Sequence, residues 1–239
     1  MERDKFYFKE KNSVEDYVKE HLCLNAPVLL GLKPAAIFTV SKAEKARLEE
    51  LLSSCGKQRG ANCPLEEYCG GTRMEEEAFP SDCRVFAIVT LHSGEKESIL
   101  LYRKDILYAH LANRKVKRFL HSLALGYEEG ADWILHFKKR FLEYKEEGRE
   151  FPHEVGIFLG YPLWDIRAFM QNPRREAKLT GYWKVYYKVE KAREQFQKYD
   201  RCIALLQKRI EEREKSVEQE HRDRGAEEKH IASLGKNVA

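Results

Sequence analysis

Four of the six cysteines lie in one part of the sequence, and their spacing argues against a metal site. Cys55, Cys63, Cys69 and Cys83 have seven, five and thirteen residues between successive members. Structural zinc sites favour cysteine pairs two to four residues apart, and the common ferredoxin spacings do not fit either. We therefore predict no metal site here, and we expect Cys55 and Cys83 to be core residues, on a helix face and at the start of a strand.

The other two cysteines, Cys23 and Cys202, are candidates for thiol chemistry. Cys23 follows His21 by two residues, so both side chains point the same way if this segment is extended. A redox or metal role needs a partner within a few ångströms, and the pattern favours buried, inert thiols. A thiol-dependent or metal-dependent enzyme built around Cys23 and Cys202 stays open as an alternative.

The sequence contains no motif of a common enzyme class. It has no phosphate-binding P-loop, no dinucleotide-binding glycine fingerprint and no nucleophile elbow. His153 and Glu154 begin like the helix of a zinc protease, but the second histidine is missing. We therefore expect a non-catalytic binding or accessory protein, and the sequence identifies neither a catalytic residue nor a cofactor.

Aromatic and basic residues are interleaved between positions 178 and 187. If this segment is a strand, alternation sorts them into two faces, with Tyr182, Lys184 and Tyr186 on one and Trp183, Val185 and Tyr187 on the other. One face is expected to belong to the core. The other face either stacks on a planar ligand or partner, or merely covers the sheet, and both interpretations stay open.

A helix, a tight turn and a second helix are predicted at residues 152–160 and 163–171. Pro152 suits the first turn of a helix, because its missing N–H needs no partner there. Gly156 is small enough to lie where the two helices cross. Gly160 fits the position just past the end of the first helix, where a positive φ is common.

The same spacing is that of a DNA-binding helix–turn–helix, which is the second hypothesis for function. In that hypothesis Arg167 and Gln171 would reach base edges, and Arg174 and Arg175 would contact phosphates. Asp165 would repel phosphate. The alternative to DNA binding is that Asp165 or an acidic neighbour pairs with Arg167 on a solvated surface.

The remaining patterns predict an α+β fold with a small, mostly antiparallel sheet of three to four strands. Strands are predicted at 35–40, 83–91, 97–103 and 178–187, with the second and third forming a hairpin. Helices are predicted at 13–21, at 41–55, at 105–125 with a break near Asn113, and at 132–147, with an ordered apolar loop at 23–34. A long, charged C-terminal helix begins at Val189.

Composition sets the broad class of the protein. The chain has 239 residues, of which 43% are hydrophobic and 34% charged, and its net charge of +4 permits an acidic partner without demanding nucleic acid. We expect one domain over 1–210, with an irregular cysteine-containing insertion at 56–82, and a charged tail over 211–239 that is a frayed helix or disordered. No signal peptide or membrane span is apparent, which predicts a cytoplasmic protein without a membrane partner.

Four parts of the chain together form a recognisable pattern: Cys23–Pro27 with Gly31–Pro34, Leu101–Arg103, Phe151–Asp165, and Gly181–Tyr186 followed by Tyr199 and Cys202. In these parts the chain resembles the DUF3793 family of proteins of unknown function. The resemblance implies an anaerobic, mostly clostridial bacterium and a link to redox or iron physiology, but no activity and no catalytic residues. The insertion at 56–82 departs from the family pattern. Within the matching segments, the candidate ligand-binding residues are Cys23, Lys33, Arg103, His153, Tyr182, Trp183 and Cys202.

Overall fold

A computed structural model of the chain describes residues 12–54, 86–128 and 132–236. Its elements in chain order are α1 (Val14–Leu24), α2 (Ala26–Leu29), β1 (Ala35–Val40), α3 (Lys42–Ser54), β2 (Phe86–His92), β3 (Glu97–Arg103), α4 (Lys104–Ala112), α5 (Arg114–Ser122), α6 (Trp133–Glu147), α7 (Val155–Phe158), α8 (Leu163–Gln171), β4 (Leu179–Thr180), β5 (Lys184–Val185) and α9 (Val189–Lys236). The predicted α+β class is confirmed. None of the helices in these ranges is long and apolar enough to cross a membrane.

Strand β3 is the centre of a three-stranded antiparallel sheet with the order β1-β3-β2. Every residue of β3 is buried, because helices cover both faces of the sheet. Its side chains alternate between two cores, with Ile99 and Leu101 on one side and Leu100 and Tyr102 on the other. The predicted pairing of β2 with β3 as an antiparallel hairpin is confirmed.

The two cores lie on opposite faces of the sheet. The first packs α1, α2, α3 and the N-terminal half of α9 against the sheet, and it contains Leu22, Val28, Leu48 and Ile203. The second packs α4 to α8 against the other face, and it contains Leu107, Phe119, Phe137, Phe158 and Ile166. The segment that carries β4 and β5 connects α8, in the second core, to α9, in the first.

Local capping signals fix several helix ends where the sequence predicts them. Ser13 and Asp16 form a capping box at the start of α1. The predicted break near Asn113 is confirmed, because this residue ends α4 and its side chain accepts a hydrogen bond from the backbone N–H of Lys115 in α5. Gly148, with a φ of +66°, ends α6 in the left-handed conformation.

Three predicted elements differ from the structure. The strand predicted over 178–187 is wrong: the segment makes a short hairpin whose two strands flank a turn at Gly181, with the backbone N–H of Gly181 bonded to the carbonyl of Trp183. The first helix of the pair predicted at 152–171 is only one turn long, Val155–Phe158, with turns on either side. The loop predicted at 23–34 contains α2, because Pro27 lies in its first turn, where no N–H is needed.

Candidate functional site

A cavity of about 270 Å³ opens beside α8, on the outer side of the second core. Its walls are almost wholly apolar. The lining residues come from the segment before α7, from α7, α8 and the turn between them, and from the β4–β5 hairpin: Phe151, His153, Val155, Gly156, Tyr161, Asp165, Ile166, Phe169, Trp183 and Lys184. Five of them carry aromatic rings, so the cavity offers several flat faces to a ligand.

Two glycines allow close packing in and next to the cavity wall. A side-chain carbon at Gly156 would lie 3.1 Å from Cγ1 of Ile166 and 3.2 Å from a ring carbon of Tyr161. The predicted contact of Gly156 with the second helix is therefore confirmed. Gly160 has a φ of +75°, and a side chain there would lie 2.6 Å from Pro34. The next residue, Tyr161, donates from its backbone N–H to the carbonyl of Gly156 at 2.8 Å.

Asp165 fixes the opposite wall of the cavity. Its side chain is buried, in the first turn of α8, and both carboxylate oxygens are used. Oδ2 accepts a hydrogen bond from Nε1 of Trp183 at 3.0 Å, and Oδ1 accepts from the backbone N–H groups of Tyr186 (2.9 Å) and Tyr187 (3.1 Å). One carboxylate therefore ties the β4–β5 hairpin to α8 and holds the indole of Trp183 in place.

A chain of ring contacts connects the cavity wall to α9. Trp183 stacks on Tyr161, with ring centroids 5.4 Å apart, and meets Phe196 edge-on at 4.5 Å. Tyr182 contacts Phe196 and Tyr199, and its hydroxyl donates to Oδ1 of Asp200 at 2.9 Å. Burial and this hydrogen bond raise the pKa of Tyr182, so its hydroxyl stays protonated and acts as a donor. Tyr182 thus supports the wall from behind and does not line the cavity.

His153 lies between two rings of the cavity. Its imidazole is 5.4 Å from the ring of Phe151 and 5.2 Å from that of Phe169, measured between centroids. Among the described residues, its buried Nδ1 atom has no hydrogen-bond partner. An unpaired buried nitrogen costs free energy, and the contacts of the imidazole in this part of the cavity are with the rings of Phe151 and Phe169.

The adjacent Glu154 is buried and anchors the turn that carries His153. Its Oε1 atom accepts a hydrogen bond from the hydroxyl of Tyr127 at 3.1 Å and pairs with Nε of Arg140. Burial and the neighbouring carboxylate raise the pKa of Tyr127, which keeps the phenol protonated. A buried carboxylate needs such partners, and here they join the start of α7 to α6.

Two lysines contact the aromatic walls. Lys184 lines the cavity, and its Nζ atom lies 5.3 Å from the ring centroid of Phe169. Lys33 lies behind the wall, with Nζ 5.7 Å from the ring centroid of Tyr161. Burial lowers the pKa of Lys33 to about 8, because an ammonium group is poorly solvated there.

The structure brings together only some of the predicted ligand-binding residues. His153 and Trp183 line the cavity, and Lys33 and Tyr182 lie directly behind its walls. Arg103 is buried elsewhere: it packs on Gly31 and donates from Nε to Asp105 at 3.1 Å.

Cys23 and Cys202 belong to the first core, on the other face of the sheet from α8. Burial raises the pKa of the Cys23 thiol to about 12, and nearby carboxylates, with Glu211 the strongest of them, contribute to this shift. A thiol with so high a pKa is a poor nucleophile at neutral pH. Within the described residues, no group of three or more His, Cys, Asp or Glu residues could hold a metal ion. Cys55, Cys63, Cys69 and Cys83 lie outside those residues.

The residues of the DNA-binding hypothesis lie on or just after α8. Arg167, Gln171 and Arg174 are exposed, with the guanidinium of Arg167 over the ring of Phe119. Arg175 lies over the rings of Tyr186 and Tyr187. The expected pairing of Asp165 with Arg167 on a solvated surface is wrong, because Asp165 is buried and its oxygens face the β4–β5 hairpin.

Most of the cavity lining was not predicted from the sequence, because only His153 and Trp183 were candidates. Phe151, Tyr161, Asp165, Phe169 and Lys184 were not among the predicted ligand-binding residues, yet all five line it. One signal was available for Asp165, since an acidic residue in the first turn of a helix suits the local dipole and backbone N–H groups. Its partners, 18 to 22 residues away, follow no local pattern.

Comparison with known proteins identifies one family. The sequence profile of the family described as "Protein of unknown function (DUF3793)" matches residues 22–219, which include the whole cavity. No curated protein and no solved structure matches the chain.

Proposed function

The chain belongs to the DUF3793 family of proteins of unknown function, and we propose that it is a non-catalytic binding protein for a small, planar, largely apolar ligand. The ligand would occupy the ring-lined cavity beside α8. One observation carries this proposal: rings from four parts of the chain converge on one apolar cavity, and a buried carboxylate holds one of them, Trp183, in place.

The size and chemistry of the cavity support a small molecule as the ligand. A volume of about 270 Å³ is close to the lower end of known ligand sites, and rings present flat faces on which a planar molecule can stack. The cavity is also pre-organised, because the three hydrogen bonds of Asp165 order its wall before any ligand arrives. Pre-organisation lowers the entropic cost of binding.

The absence of an enzyme motif from the sequence and the raised pKa of Cys23 favour binding over thiol chemistry. The proposal includes a cytoplasmic location and also, from the family resemblance, a role in redox or iron physiology. A redox-active aromatic cofactor would account for both the planar ligand and the role in redox physiology, since its ring system could stack in the cavity.

The second candidate function is DNA binding by α8. The exposure of Arg167, Gln171 and Arg174 on one stretch of chain favours it. Binding to genomic DNA fragments at low and moderate salt tests this candidate, with Arg174→Ala/Arg175→Ala as the variant. Two lost phosphate contacts would reduce the salt slope by about two. No binding by the wild type even at low salt would end the hypothesis.

The proposed binding function is tested by purifying the protein under anaerobic conditions. The purified protein would then be analysed by absorbance spectroscopy, by metal analysis and by mass spectrometry of the small molecules released on denaturation. We expect an aromatic compound to be released from the wild type and to be lost from Phe169→Ala, which removes one ring of the cavity. Release of equal amounts from both proteins would place the compound elsewhere and contradict the proposal.

A further inference from the structure

We infer that the ligand of this cavity is an aromatic anion, in which a planar ring carries a carboxylate or phosphate group that pairs with Lys184. The inference rests on the proposed binding function and adds the charge of the ligand. Three observations support it. Lys184 lines the cavity, the carboxylate oxygens of Asp165 already accept hydrogen bonds from the protein, and the ammonium group of Lys33 lies behind Tyr161.

Lys184 is the charged group of the cavity that is free to meet a ligand. It lies on β5, directly after Trp183, and its side chain is exposed while also lining the cavity. Within the described ranges, no carboxylate lies within 4 Å of its ammonium group. The group lies over Phe169 and retains its capacity to pair with an anion.

The other charge in the lining, Asp165, does not favour a cationic ligand. Rings with a nearby carboxylate are the usual recognition site for quaternary ammonium groups. In this cavity, however, the oxygens of Asp165 are turned to Trp183 and to the backbone of Tyr186 and Tyr187. Only 3% of the residue is exposed, so its negative charge is satisfied inside the protein.

Lys33 adds positive charge on the far side of the same wall. Its ammonium group lies 5.7 Å from the ring centroid of Tyr161, and Tyr161 itself stacks on Trp183. In the part of the chain that the structure describes, Lys33 has no carboxylate within 4 Å. Lys33 and Lys184 thus both lie next to rings that line the cavity, and an anion at the rim would interact favourably with both.

The test uses three naphthalene probes that differ in charge. These are 2-naphthoate, its neutral isostere 2-naphthamide, and (2-naphthyl)trimethylammonium, titrated by calorimetry into wild type, Lys184→Met and Lys188→Met. Lys188 is the matched control, because it is also exposed and its Nζ atom lies 4.0 Å from the ring of Trp164, outside the cavity lining. Circular dichroism checks that both variants fold.

We expect 2-naphthoate to bind wild type about fivefold more tightly than 2-naphthamide, as for an ion pair that is partly exposed. This ratio should fall to about one in Lys184→Met and persist in Lys188→Met, as a local ion pair requires. A further titration with 2-naphthyl phosphate identifies which anionic group the site prefers.

Equal binding of naphthoate and naphthamide to wild type would overturn the inference and leave the proposed function intact. Tighter binding of the trimethylammonium probe would overturn it in favour of a cation site. An equal loss in both lysine variants would assign the effect to the general surface charge and not to Lys184. Failure of every probe to bind would instead contradict the proposed function itself.

Discussion

The indole Nε1–H of Trp183 donates a hydrogen bond to Oδ2 of Asp165 at 3.0 Å, joining a turn to the first turn of a helix 18 residues earlier in the chain. The same carboxylate accepts from two backbone N–H groups of the chain that leads into α9. Three parts of the molecule therefore meet at one buried side chain. The shape of the ring-lined cavity depends on this arrangement.

Replacing Asp165 with asparagine should destabilise the protein by about 1–3 kcal/mol. The amide offers only one acceptor oxygen, and its NH₂ group would face either the indole N–H or the backbone N–H groups, all of which are donors. The free energy of unfolding in urea measures the effect.

The matched control is Asp223→Asn, an exposed aspartate on α9 that accepts one hydrogen bond from Gln219. We expect it to change stability by less than about 0.5 kcal/mol. If Asp165→Asn unfolds at the same urea concentration as the wild type, Asp165 does not hold the cavity wall.

The turn at Gly181 should tolerate no side chain. A carbon added there would overlap the ring of Phe196, which also supports Trp183. We expect Gly181→Ala to lower the free energy of unfolding by about 1–3 kcal/mol, as overpacking does. Gly225→Ala is the control, since no described atom lies within 4 Å of its added carbon and alanine favours a helix. Equal melting temperatures for the two variants would contradict this view of the turn.

Lys33 should make stability depend on pH in the alkaline range. Burial lowers its pKa in the folded protein from 10.5 to about 8. Below pH 8 the group is charged in both states, so the cost of burying the ammonium is fully present. Between about pH 8 and 10.5 the unfolded chain binds more protons, so stability contributed by this group rises with pH.

The measurement compares wild type with Lys33→Met from pH 7 to pH 10 by thermal unfolding. The difference isolates Lys33 from Cys23 and the buried tyrosines, whose raised pKa values lower stability at high pH in both proteins. We expect the stability of Lys33→Met relative to wild type to decrease as the pH rises above 8. A difference that is constant across this range would mean that Lys33 is not buried as a cation.

The part of the charged tail that follows Glu214 should contribute little to the stability of the protein. Ile210 is buried, and Glu214 pairs with Lys19 at 2.7 Å. We expect deletion of 215–239 to leave the melting temperature nearly unchanged. Deletion of 206–239 should lower it sharply, because Leu206 and Ile210 leave the first core. A large loss from the shorter deletion would indicate that the tail packs on the domain or on a second copy.

Elements with local signals were predictable from the sequence. The strand Glu97–Arg103, the start of α9 at Val189 and the break at Asn113 agree with the structure, because periodicity, capping and turn residues act over a few positions. His153 and Trp183 were also identified as candidates.

The rest of the site depends on contacts between distant residues. The segment 178–187 has the composition of a strand, yet Asp165 captures its backbone N–H groups at Tyr186 and Tyr187 and the turn at Gly181 reverses it. The helical spacing of Phe169 predicts only a position on the apolar face of a helix, because periodicity alone does not distinguish a core position from a cavity wall. The proposed role of Lys184 depends on the aromatic rings around it, which come from distant parts of the sequence.

Binding of 2-naphthamide tests the central claim most directly, because this neutral probe needs only the aromatic cavity. Calorimetry would compare wild type with Phe169→Ala and with Trp164→Ala, an exposed ring on the same helix that does not line the cavity. We expect wild type to bind with a Kd between about 10 and 100 micromolar, typical of a small ligand of this size. Phe169→Ala should weaken binding about tenfold, the usual effect of losing one stacking ring, and Trp164→Ala should leave it unchanged. No saturable binding by wild type, or equal affinities in wild type and Phe169→Ala, would contradict the account.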